Sequence, residues 1–69
     1  MDKILIVFGE RVRKIRKLAS ISIEELSFRS GLNRNYISDV ERGKRNISLK
    51  AIEKIANGLN IPIEALFIN

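Results

Sequence analysis

Apolar residues recur along this chain of 69 residues at helical spacing. Leu5, Phe8, Val12, Ile15 and then Leu18 or Ala19 fall on one face at about 100° per residue, which predicts a first helix from near Asp2, a candidate cap, to about Ala19. Gly9 weakens that helix slightly. Its wet face holds Lys3, Arg11, Arg13, Lys14 and Lys17, which read as solvated charges. Ser22 then opens a second helix, its hydroxyl capping the free amides while Glu25 completes a capping box, and Ile23 and Leu26 share a face. Ser30-Gly31 ends this helix, because glycine takes the left-handed conformation that turns the chain, and Leu32 anchors the turn. Asn33 caps a third helix, which puts Tyr36, Ile37 and Val40 on one side and Arg34, Asn35, Ser38, Asp39 and Arg42 on the other. A loop over residues 43–48 leads to Ser48, the cap of a fourth helix with Leu49, Ile52, Ile55, Ala56 and Leu59 inward and Asn60 at its end. Pro62 stands in the first turn of a short fifth helix reaching Phe67. Linkers, repeats and strand-like alternation are absent, so the expected fold is all-α: a compact five-helix bundle forming a single domain over residues 1–69.

Two short helices around a glycine-containing turn form a helix-turn-helix, with the third helix as the recognition element. A merely solvated helix would show alternating Glu and Lys, whereas the wet side here carries side chains that hydrogen-bond base edges. Base readout is assigned to Arg34, Asn35, Ser38 and Asp39: Arg pairs best with guanine, Asn with adenine, and an acid accepts from the cytosine amino group. Phosphate contacts are assigned to Arg42, Lys44, Arg45 and Asn46 at the helix end and loop, and to the hydroxyl of Tyr36, whose ring packs inward. Arg16 flanks the apolar seam of the first helix and Glu41 lies at the edge of the third helix's apolar side. The two are expected to form a partly buried ion pair.

The segments FGERVRKIRKL, SIEEL, SGLNRNYISDVERGKRNISL and AIEKIANGLNIPIEALF, nearly the full length, resemble the Cro and lambda-repressor family of helix-turn-helix proteins, also called the Xre family. The run YISDVERGKRNISL is most similar to the controller proteins of restriction-modification systems, which are stand-alone dimeric regulators. The resemblance implies the same pairing of Arg16 with Glu41. Two positions depart from the family pattern, Ile23 where Gln is usual and Ile47 where Pro is frequent. In the family that Gln helps hold a phosphate and brace the recognition helix.

Composition narrows the partners. Eleven of the 13 Lys and Arg and six of the eight Asp and Glu lie in residues 1–45, so the whole net charge of +5 belongs to the helix-turn-helix half and points to a polyanion. Without Cys or His there is no disulfide and no common zinc or nucleophile-base constellation, so neither an enzyme nor a metal or cofactor is expected. A membrane surface would want aromatic anchors or a lipidation motif, and the chain has no Trp and no Cys. The apolar run from Ile4 to Phe8 is too short to span a bilayer or serve as a signal peptide, which places the chain in a prokaryotic cytoplasm.

The tail holds more apolar residues than one thin core can take. Ile61, Ile63, Phe67 and Ile68 are expected to form a C-terminal dimerisation segment, because a two-fold interface buries the same patch from both copies. Phe28, off the apolar face of the second helix, reads as a partly exposed core edge. The expected function is a homodimeric, sequence-specific DNA-binding transcriptional regulator acting on double-stranded DNA at a pseudo-palindromic operator. An antitoxin or a phage-type repressor of the same fold, or a helix-turn-helix adaptor for protein partners, are the alternatives. Contacts with RNA polymerase or a toxin stay open.

Overall fold

In the computed structural model, which describes residues 2–68, four α-helices and one 3-10 turn follow one another: α1 (Lys3–Leu18), α2 (Ile23–Ser30), α3 (Arg34–Glu41), α4 (Leu49–Leu59) and the turn Ile63–Leu66. Three of the helices start on a side-chain cap. Ser22 Oγ accepts from the Glu25 amide at 3.0 Å, Asn33 Oδ1 from Asn35 at 2.7 Å and Ser48 Oγ from Ala51 at 3.1 Å. The capping box expected at Ser22 is only half made, since the Glu25 carboxylate turns to Arg29 Nε at 2.8 Å. The expected fifth helix is a single 3-10 turn. Pro62 precedes it in extended backbone, and its bonds run three residues back, from Ala65 to Pro62 and from Phe67 to Glu64, both at 3.0 Å. Four residues are too few to close an α-helical ladder.

α1 packs on α3 and α2 on both α3 and α4, so the helices enclose one core of Phe8, Val12, Leu26, Ile37, Val40, Ile52, Ile55, Leu59 and Leu66. The predicted apolar faces of α2 and α3 are the ones that meet there. Three expected core positions instead face solvent. Leu18 and Ala19 lie past the last neighbour of α1, and Ile21 fills that end of the core after Ser20 turns the chain at φ 58°. Leu49 stands at the first position of α4, before the buried stripe that begins at Ala51. Phe28 is 85% exposed, so it is no edge of the core.

Gly9 does the opposite of weakening the structure. A Cβ there would collide with the backbone carbonyl of Val40 and come within 2.8 Å of that of Glu41. Only a glycine lets the backbones of α1 and α3 approach so closely, and backbone atoms cannot swing aside as a side chain could. Two helical turns further on, Arg16 fastens the same two helices: Nε donates to Glu41 Oε2 at 2.7 Å, Nη2 to Oε1 at 3.0 Å, and Nη1 to the Ile21 carbonyl at 2.9 Å. The two side chains are 9% and 5% exposed, so the pair is more deeply covered than the sequence suggests. The hydrogen bond to Glu41 raises the Arg16 pKa above its ordinary value against the opposing effect of burial, so the guanidinium stays charged.

Removing one partner of so covered a pair leaves the other charge buried. Arg16→Ala or Glu41→Ala should each cost about 3–5 kcal/mol in denaturant unfolding. The double variant should lose clearly less than the two single losses added together, and additivity would show that the groups act independently.

Candidate nucleic-acid interface

The turn between α2 and α3 is locked from within. Gly31 takes the left-handed conformation at φ 76° and donates its amide to the Ser27 carbonyl at 2.9 Å. Ser27 Oγ donates to the Leu32 carbonyl at 2.6 Å, and the Leu32 amide donates to Ser30 Oγ at 3.2 Å while its side chain packs against the core. Ile37 and Val40, 0% and 2% exposed, then fix the rotation of α3 about its axis. That rotation leaves Arg34 and Asn35 exposed at the start of the helix, Ser38 and Asp39 half-buried on the same side, and Arg42 exposed at its end.

The charged groups on this surface are arranged in pairs. Arg34 Nη2 lies 2.8 Å from Glu24 Oε2 across the helix-turn-helix. A guanidinium has five donors in a fixed fork, so a pair made at one nitrogen leaves an edge for a base. At the far end Asp39 Oδ1 accepts from Arg42 Nη2 at 3.0 Å, and its Oδ2 lies 3.7 Å from Arg45 Nη2. Arg45 also sits over the Tyr36 ring, 4.6 Å from its centroid. Asp39 and Tyr36 together fold the loop after α3 back onto that helix, aided by the bond from the Lys44 amide to the Asp39 carbonyl at 2.9 Å. With both oxygens facing arginines, Asp39 acts on its own chain before it can meet a cytosine amino group. Lys44 and Asn46 extend from the same loop into solvent.

Of the residues assigned to base and phosphate contact, Arg42 and Arg45 are thus brought onto Asp39 and Tyr36 of α3, while Arg16 and Glu41 lie in the seam between α1 and α3. Sequence reasoning missed Glu24, which looks like an ordinary acid in the first turn of a helix. The tight turn brings it to the start of α3, and an acid two positions into α2 facing an arginine at the start of α3 is the signal that was available. Among the described residues no cluster of His, Cys, Asp or Glu could hold a metal ion, and no helix is long and apolar enough to cross a membrane.

Comparison with known proteins agrees with this geometry. The helix-turn-helix family matches residues 12–66. The control protein C.BamHI of Bacillus amyloliquefaciens is 48% identical over 61 residues, covering 87% of this chain and 75% of that protein. The crystal structure of the restriction-modification controller protein C.AhdI from Aeromonas hydrophila shares 48% identity at a TM-score of 0.89, over 91% of this chain and 96% of that one. The controller protein C.Esp1396I, solved as a tetramer in complex with its natural 35 base-pair operator, matches at a TM-score of 0.91 and 33% identity over 97% of this chain and 88% of that one. The chain therefore belongs to the Xre-type helix-turn-helix family of DNA-binding regulators, within which it is similar to the controller proteins of restriction-modification systems.

Proposed function

We propose that the chain is a dimeric, sequence-specific regulator of transcription of the controller type, acting in a bacterial cytoplasm with α3 in the major groove of its operator. The observation that carries this reading is the division of α3. One side is held in the core by Ile37 and Val40, and the other offers Arg34, Asn35 and Ser38 beside the arginines of the following loop. Residues near the start of a recognition helix reach deepest into the groove, which gives base readout to Arg34 and Asn35 with Ser38 one turn on. Arg42, Lys44, Arg45 and Asn46 flank that helix at the level of the phosphates, and the Tyr36 hydroxyl completes this group. Positioning and reading are thereby assigned to different ends of one surface.

Binding by one such unit gives few contacts, and the tail supplies the means of joining two. Leu66 is buried and closes the chain's own core, and Ile61 is half-buried against the same core, so Ile61 does not belong to a free patch as expected. Phe67 packs its ring against Phe8, with centroids 5.5 Å apart, yet remains 60% exposed. With Ile4, Val7, Phe8, Leu66 and Arg11 it lines a cavity of about 160 Å³, and Ile63 and Ile68 of the same tail are exposed. A two-fold dimer through this surface places two recognition helices on one side of the duplex, where successive major grooves recur at about 34–36 Å.

Three outcomes test the reading. On an operator selected by the unmodified protein from a randomised duplex library, Arg34→Ala should cost about 1–3 kcal/mol and far less on random DNA. An equal loss on both would make Arg34 a phosphate contact. Neutralising Arg42, Lys44 or Arg45 should weaken both kinds of DNA alike and lower the magnitude of the salt slope by about 1 for each genuine contact, as measured by titration at several salt concentrations. Ile68→Glu should reduce the mass seen in sedimentation and abolish tight operator binding with helical content intact. A monomer that still binds an isolated half-site tightly would refute the dimer.

A further inference from the structure

Asp39 stands where its own helix gives it no support. The last turn of α3 carries Asp39 and Glu41 and no basic residue, and a carboxylate there faces the negative end of the helix dipole. Glu41 is accounted for by its buried bond to Arg16. Asp39 has no buried partner. Its two oxygens are divided between Arg42, at 3.0 Å, and Arg45, at 3.7 Å, and all three side chains are well exposed to solvent. Lys44 of the same loop forms no ion pair among the described residues. One carboxylate thus draws in two of the three cations assigned to phosphate contact and leaves the third alone.

A phosphate and this carboxylate offer a guanidinium the same thing, paired oxygens bearing negative charge. An arginine that meets a phosphate therefore either leaves Asp39 or brings its negative charge alongside, and both weaken the contact. The first costs an ion pair, and the second sets two anions against each other. Neither effect depends on which bases lie in the groove. We propose that Asp39 is an intramolecular competitor with the DNA backbone for Arg42 and Arg45, holding the general affinity for duplex below what the basic surface alone would give. This rests on the DNA-binding reading above. It replaces the cytosine contact expected for Asp39 from the sequence with a role that is independent of sequence, and a lower general affinity leaves fewer copies held on the many competing sites of random DNA.

The test removes the charge in two ways, Asp39→Asn and Asp39→Ser, with thermal melting to check the fold. Glu53→Gln is the control, because Glu53 is another exposed acid paired three residues along its helix, with Lys50 at 3.4 Å on α4. Each variant is titrated at several salt concentrations with the selected operator and with random duplex. Both Asp39 variants should tighten both duplexes by the same factor, on the order of 5- to 10-fold, and raise the magnitude of the salt slope by about 0.9 for each copy bound. Glu53→Gln should change neither. In a chain that also carries Arg42→Gln and Arg45→Gln the gain from Asp39→Asn should largely vanish, whereas beside Lys44→Gln it should persist in full. A loss confined to the operator would make Asp39 a base-reading residue and overturn the proposal, as would unchanged binding to both duplexes or an equal gain in the two backgrounds. If the unmodified chain shows no salt-dependent binding to duplex, the DNA-binding reading itself falls and the competitor falls with it.

Discussion

The contact between α1 and α3 is the constraint on which the rest of the structure depends. Gly9 allows the two backbones to meet, and Arg16 holds them with a two-pronged bond to Glu41 while its third nitrogen reaches the Ile21 carbonyl. One side chain thus joins the first helix, the third helix and the segment leading into the second. Burying a charge pair is costly, and hydrophobic residues of similar volume would often be as stable. Its value here is geometric. The apolar face of α3 is short, and Ile37 and Val40 alone would leave the helix free to slide along its axis. A bidentate bond at its last residue fixes that coordinate, and with it the depth at which Arg34 and Asn35 stand above the surface.

Much of this fold was legible in the sequence because its signals are local. The caps Ser22, Asn33 and Ser48 and the turn glycine Gly31 act within a few residues, and the structure uses each in the way its chemistry suggests. The misreadings share one cause. Leu18 and Leu49 have the right spacing but stand at helix ends, where periodicity continues although the neighbouring helices do not. Helix propensity counts Gly9 as a cost within one helix, while its role comes from contact with another. Ile61, Leu66 and Phe67 differ in burial because they stand before, within and after a short 3-10 turn and so follow no single period, which leaves the division between inner and outer tail residues outside what the apolar pattern encodes. The candidate interface was legible as a set of residue types but not as a set of partners. Glu24 meets Arg34, and Asp39 meets Arg42 and Arg45, only once the turn and loop are closed.

Those pairs change how the basic surface behaves. The cations at both ends of α3 already have carboxylate partners, so the contact with DNA proposed above would be an exchange of anions rather than the filling of empty positions. The pairs are exposed, with Arg34 and Glu24 61% and 62% accessible, and each is worth at most about 1 kcal/mol. They are therefore weak enough to yield to a well-placed base or phosphate and strong enough to keep long side chains from wandering. Preorganisation of this kind reduces the entropy lost when the fork of an arginine is ordered against a base edge.

The division of the tail has a consequence in time. Leu66 completes the core from within the same chain, so in the dimer proposed above each copy can be native before it meets another. Such a dimer would join finished units, without the folding step that ties many intertwined dimers to their partners. For a regulator that works as a pair, the population of pairs at low abundance grows with the square of the amount synthesised. Freshly made copies would accumulate as harmless singles through an initial lag and then engage DNA over a narrow range of concentration, which turns a patch of exposed side chains into a delay.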